Sequence, residues 1–478
     1  MRYTLTLLSV AFVVGAIFLV NMVWSGLPVR ALLLPQASLV GAVDDMATDT
    51  LRPDLFSGDA HRVVPFQMLY PAKARGTAAS YIPDADPMVE AISTSHGWKM
   101  RMLLAQIGTL AAPWTNDAQP VLAGPFPVVI YLPGVTGYMQ MSSFQTTELA
   151  AHGFIVVTLN QPGSVAAAVI PGQKTIVGML RQEAVSLVAP SYRVTKQKLP
   201  GNFAGSLAPQ TSIVPYLAAD VGLVLDRLKT INSDPAHILH GLLELDQVGV
   251  MGMSLGAIVT AQSCFMEARV DACLMMDAPV PTEVAEVGLR QDALWISRPA
   301  ADQRLERAAS NGWPDEEIDA QAATIAQALS NSENGRLVQL HGLFHTDFTD
   351  LPSLQPVIGW LGQSGTTGVS KAHRRINQLT LEFFATALGQ DVTARSKAIG
   401  SDFLFWSGLH VARGQMIGTV LATQPELLDT ASCLNRHGSK RRWTRSCRYP
   451  PVPPDCAMTQ RQVNPWPRPG WIWCRPQP

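Results

Sequence analysis

From residue 62 onward the chain alternates short apolar runs with longer segments whose apolar residues recur at helical spacing. The runs at 62–70, 127–132, 154–159, 247–251, 273–276, 293–297 and 336–340 read as strands. Between them, residues 144–151, 212–229 and the small and apolar stretch 257–264 read as helices. In the second of these, Val214, Leu217, Val221, Val224, Leu225 and Leu228 share one face. A last helix is expected at about 370–388, carrying Ile376, Leu379, Leu381, Phe383 and Phe384. This alternation predicts an α/β fold with a mostly parallel central sheet flanked by helices. Two stretches interrupt the rhythm. Residues 164–210 mix Gly, Pro and apolar residues, and 302–334 are polar and helix-prone; both are expected to be surface decoration, the first in the right place to cover a cleft as a lid.

The two ends differ from this middle. Residues 5–24 are apolar and free of charge, about the length that spans a bilayer as a helix. No clean small-x-small site follows, which favours a signal-anchor over a cleaved signal. Arg2 and Arg30 flank the run on both sides, so charge does not decide its orientation. A second apolar patch at 31–43 is broken by Pro35. Beyond about Ala431 the chain holds Cys433, Cys447, Cys456 and Cys474, the basic knot Lys440-Arg441-Arg442 and many prolines, with no strand or helix period. Such a tail is expected to be disordered. Its cysteines lack the paired spacing of a zinc site.

The remaining 44–431 stretch fits one α/β domain within a chain of 478 residues. A net charge of −1 with 15% charged residues gives no support to nucleic-acid binding. Cys264 and Cys273 fall in the expected core and read as small buried hydrophobes.

Candidate chemistry centres on Gly252-Met253-Ser254-Leu255-Gly256, between an expected strand and an expected helix. A sharp strand-to-helix turn lifts a serine hydroxyl clear of the sheet and frees the next backbone N–H. A side chain at either glycine would collide with neighbouring backbone. A serine also needs a base, and the base needs a carboxylate, both following it in chain order at strand ends. Among the later histidines, His345 lies just past the strand at 336–340. His341 reads as structural, and His373, beside Arg374 and Arg375, as solvated. A zinc pair of His341 and His345 lacks an obvious third ligand. Asp277 and Asp302 each follow a strand and compete as the acid, Asp302 with the rival role of helix cap.

The segments FPVVIYLPGVTG, ELAAHGFIVVTLN, GMSLGA, MMDAPV and GLFHTDFTD together resemble successive motifs of the platelet-activating-factor acetylhydrolase family. That family is a lipase-like branch of the α/β hydrolases, related to dienelactone hydrolases and bacterial polyester hydrolases. The resemblance covers roughly residues 62–388 and implies the α/β-hydrolase fold; with the two ends read above, the expected organisation is a 1–43 anchor or signal segment, a 44–431 catalytic domain and a 432–478 tail. It implies Asp277 as the acid, His345 as the base, and the backbone N–H groups of Val135 and Leu255 as the oxyanion hole. The chain departs from the family at Pro133-Gly134, where His-Gly is common, and at Met253, where histidine is common. Neither change removes a catalytic atom.

The function expected is a cofactor-free and metal-free serine esterase acting on short or oxidised acyl esters, near a membrane surface or secreted. An amidase, a polyester hydrolase and a membrane-tethered binding protein that has lost catalysis are the rivals. A fold alone does not choose among them.

Overall fold

The computed structural model describes residues 39–170, 175–193 and 212–390 apart from residue 84, short pieces between 13 and 30, residue 172, and 431–433. One sheet dominates it. Its strands are β1 (Leu39–Asp49), β2 (Arg62–Ala72), β3 (Thr77–Ser80), β4 (Ala111–Asn116), β5 (Phe126–Leu132) and β6 (Ile155–Leu159), then β9 (Leu243–Met253), β10 (Ala272–Met276), β11 (Asp292–Ser297), β12 (Asn334–Leu340) and β13 (Ala431–Cys433). A separate two-stranded hairpin holds β7 (Ala167–Ala168) and β8 (Ile176–Val177). The order across the main sheet is β13-β12-β11-β10-β9-β5-β6-β2-β1-β4-β3. From β12 to β6 every neighbour is parallel, and β2 closes this block antiparallel to β6.

The helices are α1 (Ala85–His96), α2 (Trp98–Leu104), α3 (Ser143–Ala151), α4 (Arg181–Val188), α5 (Val214–Ser233), α6 (Leu255–Met266), α7 (Thr282–Val287), α8 (Ala300–Ser310), α9 (Asp315–Asn331) and α10 (Val369–Ala387), besides single turns. Strand β5 shows why the middle of the sheet reads as unbroken apolar sequence: all seven of its residues are buried. Val128, Ile130 and Leu132 pack into the layer with α5 and α6, while Val129 and Tyr131 face the layer with α3 and α10. A strand covered on both faces has no polar side to show.

Four expectations need correction. The boundary at 43/44 falls inside β1, which pairs with β2 along its whole length, so the end of the apolar patch 31–43 belongs to the sheet. Its far boundary likewise cuts β13, which pairs with Val338–Leu340. Cys264 and Cys273 are buried but not separate hydrophobes; they form a disulfide joining the end of α6 to β10. His373 is not solvated: its ring stacks on Phe144 at 3.7 Å and its Nε2 lies 3.0 Å from the Thr349 carbonyl. Burial lowers its pKa to about 4.

Most of residues 5–24 and all of 434–478, with the anchor and tail expectations, lie outside the described residues. Among the described residues no helix is long and apolar enough to cross a membrane.

Candidate active site

Ser254 stands between the end of β9 and the start of α6 with φ 59° and ψ −123°. A positive φ at a residue with a Cβ is strained and persists only where its surroundings impose it. Here the imposition is visible. A Cβ on Gly252 would lie 2.2 Å from the Gly256 carbonyl oxygen, and one on Gly256 would lie 1.9 Å from that of Leu132. The two glycines therefore let strand, turn and helix close on each other. The Ser254 N–H donates to Met276 O at 3.0 Å, fastening the turn to the end of the neighbouring strand.

That neighbouring end carries Asp277, also at positive φ (52°), whose N–H donates to Ile296 O at 2.8 Å. Its Oδ2 lies 2.6 Å from Nδ1 of His345, the first residue of a 3-10 turn after β12. Against a carboxylate, Nδ1 carries the proton, which leaves Nε2 as an acceptor. The imidazole is half-buried, with 22% of its side chain exposed. Trp313 packs edge-on to it with ring centroids 5.6 Å apart. Among the described residues no hydrogen bond links Ser254 to His345.

Asp277 is fully buried, and burial by itself would raise its pKa. The Arg298 guanidinium, and after it His345, outweigh that effect and hold the carboxyl well below the usual carboxylate range. Arg298 Nε donates to Asp277 Oδ2 at 2.8 Å, and Gln321 Nε2 reaches Oδ1 at 3.4 Å and Ser297 Oγ at 3.1 Å. Glu306 joins the other side: its Oε2 accepts from Arg298 Nη1 at 2.6 Å and its Oε1 from the His345 backbone N–H at 3.0 Å.

The loop after β5 lies over the serine. A Cβ on Gly134 would come within 3.1 Å of the Ser254 Cβ. Thr136, at φ 53°, donates its N–H to Ser164 O at 2.9 Å, and Ala166 N–H donates to Gly137 O at 2.8 Å. The stretch beginning at 164, expected to cover a cleft, thus clamps this loop. Among the described residues neither the Val135 N–H nor the Leu255 N–H gives a hydrogen bond, and Leu255 opens α6, where the first N–H groups have no partner inside the helix.

Asp302 does not reach His345. It lies in the first turn of α8, but as no cap; its Oδ2 accepts the Gly342 N–H at 3.0 Å and lies 3.7 Å from His341 Nδ1. His341 and His345 share no metal-type cluster: no group of three or more His, Cys, Asp or Glu suited to a metal occurs among the described residues.

The sequence reading missed Arg298, Glu306, Gln321 and Trp313. Three of these come from the stretch 302–334, which is therefore not surface decoration: α8 and α9 support the Asp277–His345 pair. The one signal available was Arg298, a full charge directly after an apolar strand.

The sheet order, the strand-to-helix turn at Ser254 and the carboxylate–imidazole pair at the same sheet edge define an α/β-hydrolase fold. A family described as "Platelet-activating factor acetylhydrolase, isoform II" matches residues 44–176. Over those residues the chain is similar to the platelet-activating factor acetylhydrolases. Among solved structures, a ferulic acid esterase from Streptomyces cinnamoneus superimposes with a TM-score of 0.54 at 19% identity, covering 74% of this chain and 92% of the esterase. At that identity the likeness speaks for the fold. No curated protein sequence matches the chain.

Proposed function

We propose that this chain hydrolyses carboxylic esters through an acyl-enzyme on Ser254. The observation that carries the reading is the 2.6 Å contact between His345 and Asp277, formed at the strand end to which the Ser254 turn is itself bonded. His345 Nε2 takes the Ser254 proton as Oγ attacks the ester carbonyl, and the C=O electrons move onto oxygen. The free N–H groups of Val135 and Leu255 receive that oxyanion, each donor typically worth ~10²–10³ in rate. As the tetrahedral intermediate collapses, His345 passes the proton to the leaving alcohol. Water, activated by the same nitrogen, then releases the acid and restores Ser254. Asp277 keeps the imidazole in the needed tautomer and balances its charge. The missing serine–histidine hydrogen bond is compatible with this, because such bonds often tighten only when substrate is bound.

The resemblance to the acetylhydrolases favours short or oxidised acyl groups, phospholipid-derived ones included, over long-chain triglycerides. We place the domain outside the cytoplasm, membrane-anchored or secreted. The Cys264–Cys273 disulfide supports this, because structural disulfides persist in oxidising compartments.

The test is labelling with a fluorophosphonate probe, together with a panel of esters of graded chain length. Labelling that disappears in Ser254→Ala, with preference for acetyl to hexanoyl esters, is expected. An unlabelled, folded wild-type protein favours a binding role; preference for long acyl chains changes the substrate class.

A further inference from the structure

Four residues around the site close a ring of contacts, one link of it through the His345 backbone. Asp277 Oδ2 meets His345 Nδ1 at 2.6 Å; the His345 N–H reaches Glu306 Oε1 at 3.0 Å; Glu306 Oε2 meets Arg298 Nη1 at 2.6 Å; and Arg298 Nε returns to Asp277 Oδ2 at 2.8 Å. Resting on the reading above, we propose that Arg298 and Glu306 are positioning residues that act as a charge-balanced pair, fixing His345 by backbone and side chain together and setting the pH at which it becomes a base.

The charges explain why both members are needed. A lone guanidinium beside Asp277 cancels the carboxylate that the imidazolium relies on. Glu306 offsets the guanidinium, so two carboxylates and one cation leave a single negative charge for the imidazolium to neutralise. The side chains of Asp277 and Arg298 are fully buried and that of Glu306 is 6% exposed, so water screens these charges weakly.

The other groups on the packed elements are differently engaged. Asp302 of α8 holds the Gly342 N–H, and His341 after β12 lies beside Asp302. Asp347 of the 3-10 turn holds the N–H groups of Phe344 and Gly365 and feels Arg298 only through space. Gln321 and Trp313, which touch the pair, carry no charge.

The test is the pH profile of kcat/KM on a short-chain ester for the full chain, for Glu306→Gln, Arg298→Gln and the double variant, with fluorophosphonate labelling of each. Removing the anion disfavours the imidazolium, so Glu306→Gln moves the acid limb to lower pH, by roughly half a unit to one unit. Arg298→Gln moves it to higher pH, and the double variant returns it towards wild type. In each case kcat falls more than KM changes. If the limb stays in place in folded variants that only lose thermal stability, the pair is a structural ion pair and the proposal is overturned. If Arg298→Gln does not fold, Glu306→Gln and the charge-balanced double variant decide by the same signs. An unlabelled, inactive wild type overturns the hydrolase reading, and the proposal with it; an active wild type with unmoved limbs overturns the proposal alone.

Discussion

Arg62 and Arg298 are both buried completely, each is held by two carboxylates, and they flank Ser254 on the same edge of the sheet. Arg62 opens β2, which runs antiparallel to β6 and so begins where the parallel strands end. Its Nη1 meets Asp54 Oδ2 and its Nη2 meets Asp220 Oδ2, both at 2.7 Å. Arg52 and Gln161 also bind Asp220, and Pro162 O takes a further Arg62 N–H. Every donor in that cluster ties one element to another: the β1–β2 loop, α5 and the loop after β6. The Arg298 cluster is built of the same groups but has an outlet. One Asp277 oxygen is shared with a histidine that is half-buried rather than enclosed. A buried ion cluster alone therefore says nothing about chemistry. What separates the two is the titratable side chain that carries one of them to the exposed edge.

The strongest way to break this comparison is Asp277→Asn. A neutral amide no longer fixes the imidazole tautomer, and turnover is expected to drop by about 10⁴ in a protein with unchanged circular dichroism. Loss of a few-fold only means that the outlet does not carry the reaction. On the other side of Ser254, Arg62→Met strands Asp54 without its cation and leaves Asp220 with Arg52 alone. Urea unfolding should show a loss of about 3–5 kcal/mol, with turnover per folded molecule close to wild type. A large activity loss at full stability instead makes the Arg62 cluster part of the site.

Asp350 sharpens the contrast, because it is a buried carboxylate with no cation paired to it among the described residues. It accepts the N–H groups of Ser143 and Phe144 and the hydroxyls of Ser143 and Tyr81, yet burial outweighs these bonds and pushes its pKa up to about 6. Asp220 and Asp277, paired with arginines, are instead held below the usual range. The signs are opposite. A depressed pKa gives stability that is present above the unfolded value near ~4 and lost as the pH falls below it. The raised pKa of Asp350 gives stability that is present below ~4 and lost as the pH rises through about 6. Thermal midpoints of wild type and Asp350→Asn between these pH values test this: the wild type should lose stability relative to the variant as the pH rises. Parallel curves dispose of the assignment.

What was legible in the sequence follows from how local each signal is. The turn at Ser254 could be read because strand, glycines and helix are contiguous, and the central strands because both of their faces are apolar. Strand β1 was hidden: its polar residues Asp44, Asp45 and Asp49 and the nearby Pro35 made it look like the end of an apolar patch, and only pairing with β2 identifies it. The support from α8 and α9 was hidden for a different reason. Glu306 and Gln321 sit in helices rich in charged and polar positions, and such a helix reads as solvated until its buried partners are known. His373 was misread through its neighbours Arg374 and Arg375, since the ring that covers it, Phe144, is far away in sequence. The pairing of Cys264 with Cys273 likewise depends on α6 lying along β10.

The smallest effect is expected from Asp302→Asn, and it closes the choice between the two acids. Asp302 follows β11 as Asp277 follows β10, so strand position alone permits either. The contacts differ. Asp302 Oδ2 accepts the Gly342 N–H at 3.0 Å and lies 3.7 Å from His341, four residues short of His345 in the same loop. An asparagine Oδ1 can accept the same N–H, so the loop keeps its anchor and loses only the charge on that bond. The expected cost is about 1 kcal/mol of stability, the usual net worth of one such hydrogen bond. Turnover should stay within a few-fold of wild type, with an unchanged acid limb in its pH profile, because no Asp302 oxygen touches the imidazole of His345. Urea midpoints and kcat/KM on one short-chain ester, measured beside Asp277→Asn, give the answer. If Asp302→Asn abolishes turnover while Asp277→Asn spares it, the acid moves to the later strand, and the ring through Arg298 and Glu306 becomes a structural cluster of the Arg62 kind.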